Sequence, residues 1–341
     1  MHTYDIAVVG AGPIGIEIAV ALKQHGIDYV HFDAKQIAYT ISWYAPQTRF
    51  FSSNERIAIA GVPFHTVEQS KATREQYLNY LRSVVEQFDL QIHTYEPVTD
   101  VQREHGHFVV TTHPAGGERQ HHARRVVLCT GGTDRPRLLN IPGETLPHVS
   151  HYFDDPHKYF RRRVLVVGSK NSAVEAALRC HIAGAHVTMC YRSAGFPESS
   201  IKYWLLPELR SLTESGRIKT YAHATPAHIS PTHVTLKLGA ETSVDVQADF
   251  VLLMTGYEQD NTLLKRAGVE LVGPSSVPEF NPATLMTNVP GVYVAGTCVG
   301  GTQGKFSVFI ENCHDHAAKI IGHAFGIEVS RHALALGLAE S

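Results

Sequence analysis

Short apolar runs alternate along this chain with stretches that place an apolar residue at every third or fourth position. The run Ile6–Val9 enters Gly10-Ala11-Gly12-Pro13-Ile14-Gly15. Beyond it, Ile14, Ile18, Ala21 and Leu22 fall on one helical face, and a second apolar run ends at Asp33. The same order of strand, loop, helix and strand returns downstream. There the run 164–167 enters Gly168-Ser169-Lys170-Asn171-Ser172-Ala173, and a second strand covers 186–190. Three more apolar runs end on glycine: "ARRVVLCTGG", "FVLLMTGYEQD" and "NVPGVYVAGTCVGG". "REQYLNYLRSVVEQF" predicts a helix with Tyr77, Leu81, Val84, Val85 and Phe88 turned to the core. "KFSVFIENCHDHAAKIIGHAFG", from Lys305, predicts a last helix with Phe309, Cys313, Ala317 and Ile320 inside. Residues 90–128 and 218–238 read as short strands and turns. The aromatic-rich stretch 34–70 is too long for a simple turn, and a loop of that length in a compact domain is usually functional.

The first loop carries a specific chemistry. Gly10 permits a tight turn, Gly12 lets a pyrophosphate approach the backbone, and Gly15 lets helix and strand pack closely. The helix start offers N–H groups and positive potential to phosphates. Asp33 stands where an acid accepts ribose hydroxyls. Glycines in turns are common, and it is the strand, helix and acid in register that make this a dinucleotide loop. The second loop keeps only the first glycine. Its second strand is followed by Arg192 and no acid, and a guanidinium there suits a 2′-phosphate. Lys202, in "SSIKYWLLPEL", offers a second cation. FAD at the first loop and NADPH at the second is the simplest assignment. Thr130-Gly131-Gly132 and Ala295-Gly296 are similar to the crossover and the final FAD strand of two-dinucleotide flavoproteins. The expected fold is α/β, with two Rossmann-like domains and the NADPH domain (132–257) inserted in the FAD domain (1–131 and 258–341).

Composition narrows the class. The chain has 341 residues, 43% hydrophobic and 18% charged, with a net charge of −2. Two domains fit that length, and no bulk charge draws the chain to nucleic acid or an anionic membrane. The 22 histidines are scattered without metal-ligand spacing, so no metal is expected. No apolar run reaches the roughly 18–20 residues of a membrane helix, and the start of the sequence has no signal-peptide pattern. Five cysteines, odd in number and without a Cys-x-x-Cys pair, argue for a reducing cytoplasm.

"CTGGTDRPRLLNIPGE" and "VLVVGSKNSAVEAAL" resemble thioredoxin reductases. Their Cys-x-x-Cys falls where this chain reads "SHYFDDP". Over nearly the whole chain, "RFFSSNERIAIAGVPF", "HYFDDPHKYF", "GSKNSAVEAAL", "SSIKYWLLPEL" and "FIENCHDHA" resemble the YpdA family of NADPH-dependent flavoproteins assigned as bacillithiol-disulfide reductases. That resemblance implies FAD, NADPH as hydride donor, a small thiol disulfide as acceptor, and a cytoplasmic homodimer or homotetramer. A bacilliredoxin-type partner is a further candidate. The FAD set it implies is Gly10, Gly12, Pro13, Ile14, Gly15, Asp33, Ser52, Ser53, Val98, Thr130, Gly131, Gly296 and Glu311. The NADPH set is Gly168, Lys170, Asn171, Ser172, Arg192 and Lys202. Many members read GxGPCG in the first loop, with that cysteine proposed as reactive. Here Ile14 stands at its place, so that thiol chemistry does not carry over.

The electron acceptor stays open among three. A small disulfide can be reduced by the flavin directly or through another cysteine. Cys298, in the glycine-rich run "TCVGGTQG", is the best placed, whereas Cys129 looks structural and Cys180 and Cys190 belong to the NADPH unit. Ferredoxin or flavodoxin is a second acceptor, since relatives of that class also lack the dithiol. Oxygen is a third, because the region after the first loop, and faintly His148 and His151 after "IPGE", resemble flavin monooxygenases. The tryptophan of that fingerprint is absent.

Overall fold

The computed structural model describes residues 2–239, 242–304 and 307–329. Each of its two compact units is built on a parallel sheet. The first unit comprises residues 1–43, 47–135 and 257–341. Its sheet orders the strands Val292–Val294, Val126–Leu128, Ile6–Val9 and Tyr29–Phe32, all parallel. Every residue of Ile6–Val9 is buried, as a strand covered on both faces must be. Helix Pro13–Gln24 and helix His316–Phe325 pack against each other over a core that includes Ile14, Ile18, Leu22, Ile320 and Ile321. A mixed sheet of Thr3–Tyr4, Arg119–Ala123, His107–Thr112 and Val98–Glu104 completes this unit.

The second unit comprises residues 44–46 and 136–256. Its parallel sheet orders Lys219–Tyr221, His186–Cys190, Arg163–Val167, Phe250–Leu253 and Val149–Ser150. An antiparallel sheet of Ala224–Ile229, His233–Leu238 and Thr242–Gln247 is added. The sequence places the borders near 132 and 257. In the structure residues 132–135 and Tyr257 group with the first unit. Tyr44–Pro46 groups with the second, where the Arg179 guanidinium donates to the Pro46 carbonyl.

Helix Arg74–Gln87 starts in a capping box: the Gln76 amide donates to Thr73 Oγ1 and the Thr73 amide to Gln76 Oε1. Its buried face is Tyr77, Tyr80, Leu81 and Val84. Val85 and Phe88 are only half-buried, because the stripe is centred one step toward Tyr80. The last helix differs more. It begins at His316, after a short 3-10 turn at Ile310–Asn312. Phe309 has extended backbone and is exposed, so the helical period that carries Ala317 and Ile320 inward does not reach it. Lys305 lies outside the described residues.

Candidate functional site

The first loop leaves the carboxyl end of strand Ile6–Val9, and its three glycines have three different surroundings. Gly10 has φ +104°, and a methyl group there would lie 2.4 Å from the Cys129 carbonyl oxygen. A methyl on Gly15 would lie 2.0 Å from the Gly10 oxygen, so helix and loop touch as the fingerprint requires. Gly12 has nothing within 4 Å of that position. This is clearance for a ligand at a helix start, where Gly12 offers no side-chain cap and Pro13 occupies the first turn.

Asp33 holds the loop as well as facing it. The Ala11 amide donates to Oδ2 at 2.7 Å and the Lys35 amide to Oδ1 at 2.8 Å. Each oxygen keeps a lone pair, enough for a ribose diol. Burial raises the carboxyl above its ordinary range, and the two amides oppose the shift. Two residues earlier on the same strand face, His31 is fully buried with Nε2 2.9 Å from the Gly10 carbonyl. Burial lowers its pKa to about 4, so a neutral Nε2–H donates to the loop.

The opposite wall comes from the crossover and the last strand. Gly131 and Gly296 both have positive φ, at +85° and +67°. The Gly296 amide donates to His316 Nδ1 at 3.0 Å, and burial holds that imidazole neutral with a pKa of about 4. Ile14 is buried against this turn; a methyl on Gly296 would meet its Cβ at 3.3 Å. Gln259 Nε2 reaches the carbonyls of Gly131 (3.2 Å) and Cys298 (3.0 Å). Ser53 stands at the N-terminus of the helical turn Asn54–Ile57, which packs against the turn carrying Glu311. Asn54 orders the long loop with Ser52 in it, donating to Thr66 Oγ1 and the Ser70 carbonyl and accepting from the Ala72 amide. Val98 begins the strand that follows the segment hydrogen-bonded to Asp33 through the Glu96 amide.

Sequence spacing misses a partly buried triad that joins segments far apart in the chain. His314 Nδ1 lies 3.1 Å from Glu17 Oε2, and its Nε2 lies 2.8 Å from the Arg56 carbonyl. Both contacts offer acceptor oxygens, an arrangement that favours a ring protonated on both nitrogens. Desolvation opposes that charge, and the Glu17 contacts overcome it to raise the pKa. Glu17 Oε1 also accepts from the Ala60 amide at 2.9 Å.

In the second unit Gly168 has φ +135°, and a methyl there would lie 2.7 Å from the Met254 carbonyl oxygen. Ala173 packs in the place of the third glycine, its Cβ 3.0 Å from the same point. Lys170 is the N-cap of helix Asn171–Ile182. Asn171 Oδ1 accepts from the Lys202 amide at 2.8 Å, which brings Lys202 to the loop together with Ser172 in the first turn. Arg192 is exposed, two residues beyond strand His186–Cys190. The segment at the dithiol's place is structural: an edge strand, a Ser150 turn, and a 3-10 turn capped by Asp155, which accepts from the His157 amide. His151 in it pairs with Glu144 at 3.2 Å.

All five cysteines are buried and unpaired with one another. Burial pushes Cys298 up to about 11 and Cys180, Cys190 and Cys313 to about 12, and raises Cys129 well above its usual value. Cys298 Sγ is covered by Gln259 Nε2 at 3.2 Å and Thr130 Oγ1 at 3.5 Å. An attacking thiolate needs the opposite environment. Among the described residues no group of three or more His, Cys, Asp or Glu is placed to hold a metal ion, and no helix is long and apolar enough to cross a membrane.

Two glycine-bearing loops, each on a parallel sheet, with an acid beside one and cations beside the other, define a two-dinucleotide flavoprotein that uses FAD and NADPH. The chain belongs to the pyridine nucleotide-disulphide oxidoreductase family, whose profile matches residues 7–296. It is 36% identical over 314 residues to the bacilliredoxin reductase Bdr of Bacillus subtilis, covering 92% of this chain and 95% of that protein. The bacillithiol disulfide reductase Bdr (YpdA) of Bacillus cereus superimposes with a TM-score of 0.90 at 33% identity, over 95% of this chain and 99% of that one. The Staphylococcus aureus enzyme of the same name gives 0.89 at 32% identity, over 96% and 99%.

Proposed function

We propose that this chain reduces a low-molecular-weight disulfide of the bacillithiol type with NADPH, and does so without a protein thiol. The reaction balances as NADPH plus one proton plus the disulfide giving NADP⁺ and two thiols. Bound FAD supplies the two-electron relay between nicotinamide and disulfide. The chain supplies binding and orientation. Gly10, Gly12 and Gly15 seat the FAD pyrophosphate, and Asp33 holds its ribose. Lys170, Asn171, Ser172 and Lys202 line the NADPH loop, with Arg192 on the 2′-phosphate. Ser52, Ser53, Val98, Thr130, Gly131, Gly296 and Glu311 complete the FAD set.

The observation that carries the reading is the burial of all five thiols beside an otherwise complete pair of loops. Cys298, the candidate from sequence, is a covered thiol with a pKa of about 11. The names of the relatives support the substrate class, and a bacilliredoxin-type protein is a partner they suggest. A cytoplasmic homodimer or homotetramer completes the proposal. Stopped-flow mixing of NADPH-reduced enzyme with bacillithiol disulfide, other small disulfides, thioredoxin, ferredoxin and oxygen tests it. The small disulfide should reoxidise the flavin fastest; faster reoxidation by ferredoxin or oxygen contradicts the assignment.

A further inference from the structure

A second concavity of the first unit, about 630 Å³, is lined by Arg103, Arg124 and Arg125 together with His105, His107 and His323. Among the described residues no carboxylate lines it. Arg124 and Arg125 directly precede strand Val126–Leu128, and the lining Pro290 and Gly291 precede strand Val292–Val294. The FAD loops leave the other ends of the same strands. Three strand residues at about 3.3 Å each put about 10 Å of sheet between the two sites.

The three guanidinium groups are not equally committed. Arg125 lies 4.6 Å over the Phe325 ring at the end of the last helix, where a cation complements the helix dipole. Arg103 lies 5.8 Å over the Phe108 ring and donates to the Pro290 carbonyl across a long 3.5 Å, contacts that leave its charge unneutralised. Arg124 pairs with Asp5 at 3.6 Å, and both side chains are largely in solvent, so the pair contributes little. The chain as a whole has a net charge of −2, so this concentration of cations is local. At the mouth, Gly106 turns at φ +90° with nothing within 4 Å of its missing side chain, leaving room above the hairpin. The cavity falls within the roughly 300–1,000 Å³ of small-molecule sites, yet its lining is charged. Guanidinium forks match phosphate oxygens in pairs.

We propose that Arg103 and Arg124, backed by Arg125, bind a diphosphate-bearing anion, either free pyrophosphate or a nucleoside diphosphate, at a site separate from both dinucleotide loops. Calorimetric titration of the FAD-loaded enzyme, with its NADPH loop saturated by NADP⁺, tests this with pyrophosphate, ADP and adenosine as probes. Pyrophosphate should still bind, should weaken with added salt, and should bind about tenfold or more weakly to Arg103→Ala/Arg124→Ala. Tighter binding of ADP than of pyrophosphate assigns a nucleotide ligand; equal or weaker binding assigns the free diphosphate. Adenosine should not bind. Arg124→Gln, which keeps most of the side-chain stem, replaces the double variant if that protein loses FAD, and the same weakening is expected. Abolition of pyrophosphate binding by NADP⁺, or unchanged affinity in the variant, overturns the proposal.

Discussion

Gly12 and Gly15 stand three positions apart in one loop and should fail in different ways. Alanine at Gly15 drives a methyl to 2.0 Å from the Gly10 oxygen, an overpacking expected to cost about 1–3 kcal/mol or more. Alanine at Gly12 meets no protein atom within 4 Å. Gly12→Ala should therefore keep the melting temperature of the FAD-free protein and lose FAD, whereas Gly15→Ala should lower both. Thermal melts and flavin content of the two variants check this, and equal melting losses would remove Gly12 from the ligand-facing role. Arg192→Ala should weaken NADPH binding by about 1.5–3 kcal/mol while leaving NADH nearly unchanged. Titration of the two nucleotides decides it; an unchanged ratio makes another cation the reader of the phosphate. If the proposed flavin-only path holds, Cys298→Ser should reduce disulfides at close to the wild-type rate. A variant that keeps flavin reduction by NADPH but loses disulfide turnover would restore Cys298 as the exit.

The elements differ in how far their partners lie along the chain. His314 joins helix Pro13–Gln24 to the segment near Arg56 through an ion pair that spans 297 positions and is largely shielded from solvent. Removing one member of such a pair costs about 3–5 kcal/mol, so His314→Ala should be among the most destabilising single changes in the first unit. The pH dependence has a definite sign. The folded-state pKa of His314 is raised above 6.5, so its stabilisation is full below that pH and fades as pH rises through the folded value. The stability gap between wild type and His314→Gln, measured by denaturant unfolding, should narrow from pH 6 toward alkaline pH; a widening gap contradicts the imidazolium. The glycine loops were legible in the sequence because the positive-φ turn at Gly10, the clearance at Gly12 and the contact of Gly15 with Gly10 fall within a few residues, although the carbonyls that crowd Gly10 and Gly168 come from distant strands. His31 on Gly10, Gln259 on Gly131 and Cys298, and His314 on Glu17 were not, since no spacing rule reaches contacts made only when distant strands assemble. The sequence pattern starts the last helix too early for a related reason. Apolar spacing from Phe309 onward mimics a helical period, while the chain there makes a 3-10 turn before His316.

The molecule repeats one device in two units, a parallel sheet with a glycine-bearing loop at its carboxyl edge, the place where such sheets bind nucleotides. What distinguishes it from a dithiol reductase is equally general: no cysteine stands in the segment 150–160, Ile14 fills the loop position, and every thiol is buried. On the proposed flavin-only path electrons have one store, the flavin. An anaerobic reductive titration of the FAD-loaded enzyme counts that store directly. Uptake of two electrons per FAD, with no thiols newly exposed to alkylation in the reduced and denatured protein, is the predicted result. Uptake of four electrons per FAD would reveal a protein disulfide in the circuit and contradict a flavin-only path.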